Sequence, residues 1–359
     1  MTAVTARSAS ALPTAFALLA ALLLTAQHAR AVSAAVSARM LLCTETLIPS
    51  LYGCTVLANL IQATGSGAWL GARLRHLAGV LRVPAAAMGI FLVSQLAGYP
   101  VGAVLLRKAA DDGTLTPAEA RQLAPCCFGG GPAFLVGLAG AKLFGAAAAG
   151  WAMLSACILS NLILLRVTGR RQDPAKAAPV QVTCSAEMLT DAVSAAVKTM
   201  AQICGTVLLF GVLTALSEQL GLLPAAVRII GRCGISAQTA EALLHTLTDV
   251  SLLPELFYCG LPFRVLLPLT AGLLSFGGIC VHCQCLAAGR GLCPLPRLFC
   301  IRTAAALLTA GITAALLPCI PLPETAAVFS AQTALSQSRS PLPAILIFLT
   351  GFPFLLKKD

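Results

Sequence analysis

Residues 93–106 read VSQLAGYPVGAVLL and place Gly98, Pro100 and Gly102 inside a long apolar run. Glycine and proline are the residues least suited to the interior of a helix. Proline also lacks an N–H group and disfavours the α conformation in the residue before it. Broken backbone within a bilayer must lie against protein or a water-filled cavity, because lipid cannot satisfy it. The stretch predicts either a helix–break–helix or re-entrant hairpin over 84–108, or a kinked helix packed against its neighbours.

The composition of the chain is that of a membrane protein. Of 359 residues, 58% are hydrophobic and 10% are charged, whereas soluble domains carry about 25% charged residues. The net charge of +11 comes from Lys and Arg scattered between apolar runs, and aromatic residues make up only 5%. This pattern favours anchoring in the lipid bilayer over nucleic-acid binding. The sequence predicts an all-α, polytopic integral membrane protein with about eight transmembrane helices and additional broken or re-entrant helices.

Several apolar runs are long enough to cross a bilayer. They lie at 11–32, 41–63, 132–167, 187–223, 262–288 and 298–320, with a proline-interrupted run at 341–356. The run 132–167 is too long for one pass, so it predicts two helices that meet near residues 145–151. The run 11–32, with Arg30 and Arg39 behind it, fits either a signal peptide or an uncleaved first span. The spans that follow at once favour the uncleaved span.

Weak internal similarity divides the chain into two halves. The pattern Ala-Gly-x-x-x-Phe-Gly occurs at 139–145 and again at 271–277, each time downstream of an Ala-Glu-Ala segment. Two matches in the same order favour an ancient duplication, as in many transporters. The predicted units are an N-terminal span with signal-like character (1–40), a first repeat half (41–167), a basic linker (168–186), a second repeat half (187–320) and a C-terminal loop with a short apolar segment (321–359). The Lys and Arg residues of 166–181 predict a cytoplasmic location for that stretch.

Further breaks and polar groups lie within apolar sequence. They occur in CCFGGGPAF (126–134), HTLTDVSLLPEL (245–256) and SFGGICVHCQ (275–284). Ionisable groups at membrane depth are costly and commonly functional, and broken helices in both halves are typical of a midplane solute site. The predicted ligand-binding residues are Gln95, Gly98, Tyr99, Pro100, Gly102, Gly131, Pro132, Thr248, Asp249, Ser275, Gly277, Gly278, His282 and Gln284.

The sequence contains no recognised catalytic motif. It has no Gly-x-Ser-x-Gly elbow, no His-Glu-x-x-His and no phosphate-binding loop, so we expect no enzymatic activity. The run CVHCQC (280–285) holds four ligand-type residues that cannot all face one side of a helix. Structural zinc sites also need a second ligand pair, which is lacking. The sequence therefore predicts packed thiols, with no metal and no cofactor.

Six segments, spread over roughly residues 40–310, resemble a known family. They are LIPSLYGCTVLANLI (47–61), GYPVGA (98–103), LTPAEARQL (115–123), GGGPAFLVGLAG (129–140), LTDVS (247–251) and FGGICVHCQ (276–284). They resemble the sporulation integral membrane proteins of the YlbJ type, which belong to the nucleoside-recognition, or Gate, domain proteins. In place of that family's Asn-containing run and Glu, this chain has Cys127 to Gly129 and Asp249.

The resemblance implies a multi-pass protein of the bacterial inner (cell) membrane that is needed for the spore envelope or cortex. It implies a transporter or binder of a small solute, either nucleoside-like or an ion. A non-transporting scaffold for envelope assembly is the alternative. Homo-oligomerisation is compatible with either function.

Overall fold

The computed structural model describes residues 11–169 and 182–320, and within these ranges the chain is helical without a β-strand. The predicted apolar run 341–356 and most of the basic stretch 166–181 lie outside the described residues. The helices of the first half are α1 (Ala11–Gln27), α2 (Ala29–Ala63), α3 (Ser66–Arg73), α4 (Arg75–Leu81), α5 (Ala85–Ala97), α6 (Val101–Asp111), α7 (Pro117–Leu123), α8 (Ala133–Leu143) and α9 (Ala147–Thr168).

The second half continues with a similar mixture of long and broken helices. They are α10 (Ala186–Gln219), α11 (Leu222–Gly231), α12 (Ala237–Thr248), a 3-10 helix (Val250–Tyr258), α13 (Phe263–Phe276), α14 (Gly278–Ala288) and α15 (Leu295–Leu316), which a 3-10 turn extends to Cys319. Helix α8 has the wider π-helical winding throughout, and a π turn at Cys43–Leu47 lies within α2.

Five helical segments are long and apolar enough to cross a membrane. They are Ala29–Ala63, Ala147–Thr168, Ala186–Gln219, Phe263–Ala288 and Leu295–Cys319. Helices α4 and α5 reach this length only when counted together, and they bend by 90° at the turn between them, as in a broken span or a re-entrant loop. Helices α1, α8 and α11 are shorter apolar helices. These segments confirm the all-α, polytopic membrane architecture with broken helices.

The boundary between the first two predicted spans differs from the structure. Helix α1 ends at Gln27, and α2 then runs without interruption from Ala29 to Ala63. The sequence placed Arg39 behind the first span, yet Arg39 lies within this segment and its side chain is buried. A buried Arg is tolerated there because Asp249 neutralises it, as described below.

The predicted division of the run 132–167 is confirmed. Helix α8 ends at Leu143 and α9 begins at Ala147, with Gly145 in the left-handed region at φ +65°. The connection lies at the start of the predicted interval.

Large apolar side chains face outward from the bundle. Leu18, Trp151, Leu209 and Leu307 are each more than half exposed. An apolar surface of this kind is suited to contact with lipid tails. Inside the bundle, α13 packs against α15, α9 packs against α8 and α15, and α10 packs against α2. Long helices thus surround the broken ones.

Candidate functional site

The break between α5 and α6 lies where the sequence predicted it. Helix α5 ends at Ala97, the Gly98 N–H donates to the Ser94 carbonyl at 3.1 Å, and α6 begins at Val101. Gly98 has φ +80°, a conformation that side chains rarely adopt. The segment 84–108 is therefore a helix–break–helix, as one of the two alternatives predicted.

The second break of the first half packs directly on this one. The Tyr99 N–H donates to the Gly129 carbonyl at 2.7 Å. A Cβ atom on Gly102 would lie 2.1 Å from the Cys127 carbonyl oxygen, and one on Gly131 would lie 3.1 Å from the Gly98 nitrogen. Glycine is required at these positions because backbone meets backbone with no room for a side chain.

The breaks of the second half meet the same region. A Cβ atom on Gly277 would lie 2.7 Å from the ring of Phe128, which belongs to the second break. A Cβ atom on Gly278 would lie 3.0 Å from the Val250 nitrogen, at the junction of α12 and the 3-10 helix. Four interruptions, two from each half, are therefore contiguous inside the bundle.

Arg302 of α15 lies at the centre of these breaks and is fully buried. Its Nη1 donates to the Pro125 carbonyl at 2.9 Å and to Asn161 Oδ1 at 2.8 Å. Its Nη2 donates to the Ser275 hydroxyl at 2.9 Å and to the Ser275 carbonyl. Its guanidinium carbon also lies 4.5 Å from the centre of the Phe128 ring, a cation–π contact. Within the described residues no carboxylate forms an ion pair with it.

Side-chain amides also donate hydrogen bonds to backbone carbonyls at the breaks. Asn161 Nδ2 donates to Gln95 Oε1 and to the Phe128 carbonyl, both at 2.9 Å. Gln95 Nε2 in turn donates to the Cys126 carbonyl at 3.1 Å. Two amides and one guanidinium thus supply donors to carbonyls that a continuous helix would have satisfied itself.

Hydroxyl groups extend the network along α15. Thr309 Oγ1 lies within hydrogen-bond distance of two hydroxyls, Ser160 Oγ at 2.9 Å and Ser275 Oγ at 3.0 Å. All three side chains are buried. The network therefore ties α9, α13 and α15 together around Arg302.

Aromatic rings close one side of this centre. Phe128 lies between Tyr99 and His282, with ring-centre distances of 5.2 Å and 5.6 Å. His282 Nδ1 lies 2.7 Å from the Gly278 carbonyl. The Tyr99 hydroxyl and His282 Nε2 are buried without a hydrogen-bond partner in the described part of the chain. Arg302 Nε, at the centre of the cluster, is also buried without a hydrogen-bond partner among the described residues.

A second buried charge lies beside the convergence of the breaks. Arg39 Nη1 of α2 contacts Asp249 Oδ2 at 3.1 Å, and both side chains are almost fully buried. Asp249 also caps the 3-10 helix, since its Oδ1 accepts from the Ser251 N–H at 3.0 Å and from the Ser251 hydroxyl at 2.7 Å. A buried ion pair therefore connects α2 to the break that follows α12.

An open cavity of about 610 Å³ lies between α2, α10, α12 and the 3-10 helix. Its polar wall carries Arg39, Thr214, Glu218, His245, Ser251 and Glu255, and its apolar wall is mainly the alanine face of α2. His245 Nδ1 lies 2.6 Å from Glu255 Oε2, and His245 Nε2 lies 3.4 Å from Glu218 Oε1. The cavity is large enough for a small organic solute and carries both positive and negative groups.

The predicted site residues are divided between these features. Gln95 and Ser275 belong to the Arg302 network, Asp249 holds Arg39, and the predicted glycines and prolines form or flank the breaks. Thr248 donates to its own helix at the Leu244 carbonyl, and Gln284 contacts the Cys280 sulfur at 3.5 Å. None of the predicted set is among the residues that line the cavity.

Several central residues were not selected from the sequence. The sequence pattern places Arg39 behind the first span, and it assigns no site role to Arg302, Asn161, Glu218 or His245. The available signal was polarity inside an apolar run, which marks membrane-depth residues as functional candidates. The segment 245–256, selected for its polar residues, does supply His245, Ser251 and Glu255 to the cavity.

Comparisons with protein-family models, curated proteins and solved structures find no match to this chain.

Proposed function

We propose that this membrane protein binds a small polar solute in the 610 Å³ cavity and moves it across the bilayer. The observation that carries the proposal is the position of the cavity. One wall includes Arg39, whose buried partner Asp249 lies behind the wall at a helix break. Broken helices beside a charged cavity are the arrangement by which secondary transporters hold solutes.

The charges of the cavity support a polar or zwitterionic solute. Arg39 provides a cation that is shared with Asp249, so an anionic group on the solute can compete for the guanidinium. Glu218 and Glu255 are partly exposed and provide acceptors from α10 and the 3-10 helix. A solute with donors at one end and an acceptor or anion at the other fits this pattern.

The family resemblance narrows the proposal. It supports a role in formation of the spore envelope or cortex of a spore-forming bacterium, and a solute of nucleoside-like character. Nucleosides carry several hydroxyl and amide groups, which suits a mixed polar wall. Uridine is therefore the first probe to test.

The path of α10 indicates on which side of the membrane the cavity opens. Helix α10 has 34 residues, about 51 Å at 1.5 Å per residue, which is enough to cross the bilayer. Its first residues follow the basic linker, and Glu218, which lines the cavity, lies in its last turn. If the linker lies in the cytoplasm, the cavity opens on the opposite side of the membrane.

Uptake by proteoliposomes tests the proposal. Ala38 lines the cavity from α2, and Ser37 is exposed on the same helix without lining it. We expect the wild-type protein and Ser37→Trp to take up radiolabelled uridine, or another member of a panel of nucleosides and amino acids, above the level of empty liposomes. Ala38→Trp is expected to reduce that uptake at least fivefold because the indole fills the cavity.

The same variants can be scored in the native host. A deletion strain that carries Ser37→Trp should form heat-resistant spores as the wild type does, and one that carries Ala38→Trp should not. Absence of uptake for the whole panel, or equal uptake by both variants, would overturn the transport proposal.

A scaffold function is favoured by one specific observation. The convergent breaks are packed backbone against backbone, and Arg302, Asn161 and Gln95 satisfy their carbonyls internally. Such packing also suits a rigid protein that organises envelope assembly without moving a solute. Sporulation that survives Ala38→Trp but fails when Arg302 is replaced would support this second function.

A further inference from the structure

His245 faces a carboxylate with each of its ring nitrogens. Nδ1 lies 2.6 Å from Glu255 Oε2, and Nε2 lies 3.4 Å from Glu218 Oε1. A neutral imidazole has one N–H donor and one lone pair. If both carboxylates are ionised, the neutral ring must direct its lone pair at one of them. A ring that is protonated on both nitrogens instead directs an N–H at each carboxylate: Nδ1 hydrogen-bonds to Glu255, and Nε2 faces Glu218 at ion-pair distance without forming a hydrogen bond.

The three side chains join three walls of the cavity. His245 belongs to α12, Glu218 to the last turn of α10 and Glu255 to the 3-10 helix. The His245 side chain is 11% exposed, whereas those of Glu218 and Glu255 are 42% and 41% exposed. The imidazole is therefore shielded, and the carboxylates connect it to water in the cavity. A proton can reach His245 by this route.

The remaining charged groups near His245 favour its protonated form. Glu241 lies one turn earlier on α12 and adds negative charge. Arg39, the cation that lines the cavity from α2, is paired with Asp249. Arg228 of α11, a helix that packs on α12, forms no ion pair with these carboxylates among the described residues. The hydrogen bond that His245 donates to Glu255 is the main cause that raises the pKa of His245, and burial opposes it.

We propose that His245 is the proton-binding site of the cavity, and that its proton latches α10 to α12 and the 3-10 helix. When the proton leaves to water, the Nε2 lone pair faces Glu218, and repulsion moves that carboxylate away. The last turn of α10 is then free to separate from α12. The coupling of this latch to solute movement rests on the proposed transport function.

Hydrogen–deuterium exchange of the purified full-length protein tests the latch without any solute. After correction for intrinsic exchange rates, we expect at least fivefold faster exchange in the last turn of α10 at pH 9 than at pH 6. His245→Gln keeps a hydrogen-bonding side chain but cannot titrate in this range, so it should lose the difference. His76→Gln, at an exposed position of α4, should keep it.

Glu218→Gln provides a second variant that removes only a partly exposed partner. It should shift the midpoint of the exchange transition to lower pH by about half a unit, the scale of a partly exposed ion pair. A wild-type protein with no transition between pH 6 and 9, or a transition that His245→Gln leaves unchanged, overturns the proton site.

Proteoliposome uptake at equal and unequal pH separates this inference from the transport proposal. We expect a proton gradient to increase uptake at least threefold in the wild type and not in His245→Gln. Uptake that is independent of the gradient, in a protein whose latch titrates, overturns the coupling but leaves transport standing. A latch that titrates in a protein that moves no solute overturns transport but leaves the proton site standing.

Discussion

Arg302 Nη2 donates hydrogen bonds to the carbonyl oxygen of Ser275 and, at 2.9 Å, to the hydroxyl oxygen of Ser275. Ser275 lies two residues before Gly277, where the helix breaks between α13 and α14. The last carbonyls of a helix have no partner within the helix. In a bilayer interior the partner must come from protein. Arg302 therefore acts as a shared donor for broken backbone, which explains a fully buried guanidinium without a carboxylate partner in the described residues.

Replacing Arg302 by Lys is expected to destabilise the protein strongly. The compact ammonium cannot reach Pro125 O, Asn161 Oδ1 and Ser275 O together, so buried acceptors lose their donors. Each such loss costs about 1–3 kcal/mol. The midpoint of thermal unfolding in detergent, measured by fluorescence-detected gel filtration, should fall clearly. Arg264→Lys, at an exposed position of α13, is the matched control and should leave the midpoint unchanged.

A methyl group at Gly102 should separate the first two breaks. The Cβ atom of Gly102→Ala would lie 2.1 Å from the Cys127 carbonyl oxygen, and neither backbone can give way easily. Overpacking of this kind costs about 1–3 kcal/mol. Gly205→Ala in α10 meets no atom within 4 Å, so its thermal midpoint should equal or slightly exceed that of the wild type. Equal midpoints for the two variants would contradict the packed-break geometry.

The Arg39–Asp249 pair should show strong coupling in a double-mutant cycle. Asp249→Asn leaves a buried guanidinium without its counter-charge, a loss that typically costs about 3–5 kcal/mol. Arg39→Met combined with Asp249→Asn should recover part of that loss, because no uncompensated charge remains. Additive effects on the unfolding midpoint would show that the pair is not desolvated in the protein.

The exposed pair Arg107–Asp111 serves as the comparison for that cycle. These side chains form an ion pair at i, i+4 in α6, and the hydrogen bond from Arg107 lowers the pKa of Asp111. Because solvent screens exposed pairs, Asp111→Asn should leave the unfolding midpoint unchanged within error.

Stability should depend on pH through His245. Its pKa is raised in the folded protein, chiefly by the hydrogen bond to Glu255. A group of this kind contributes stability that is fully present below its unfolded pKa of about 6.5 and is lost as the pH rises through the folded value. The thermal midpoint of the wild type should therefore fall relative to that of His245→Gln as the pH increases from 6 to 9. Parallel curves would show that His245 gains no proton affinity on folding.

The local breaks were predictable because glycine and proline act through their own backbone. Pro100 and the glycines around it, Gly145 and Gly277 interrupt helices in the structure as the sequence indicated. The membrane class followed equally directly from hydropathy and the shortage of charge. These properties depend on neighbours along the chain and need no knowledge of tertiary contacts.

The charged centres were not predictable in the same way. A single Arg at the edge of an apolar run is typical of a membrane-surface anchor, so Arg39 and Arg302 carried no distinctive signal. Their depth depends on partners far along the chain, since Asp249 is 210 residues from Arg39, and Pro125 and Asn161 are 177 and 141 residues from Arg302. The position of the cavity depends likewise on how α2, α10 and α12 pack.

The sequence by itself therefore determined that the chain is a helical membrane protein and where its helices break, because hydropathy and backbone preference are local. Only the tertiary structure decided that the breaks converge, that two arginines are buried beside them and that an open cavity with His245 lies alongside. The physical reason is that a charge is stable at membrane depth only where distant residues supply its partners.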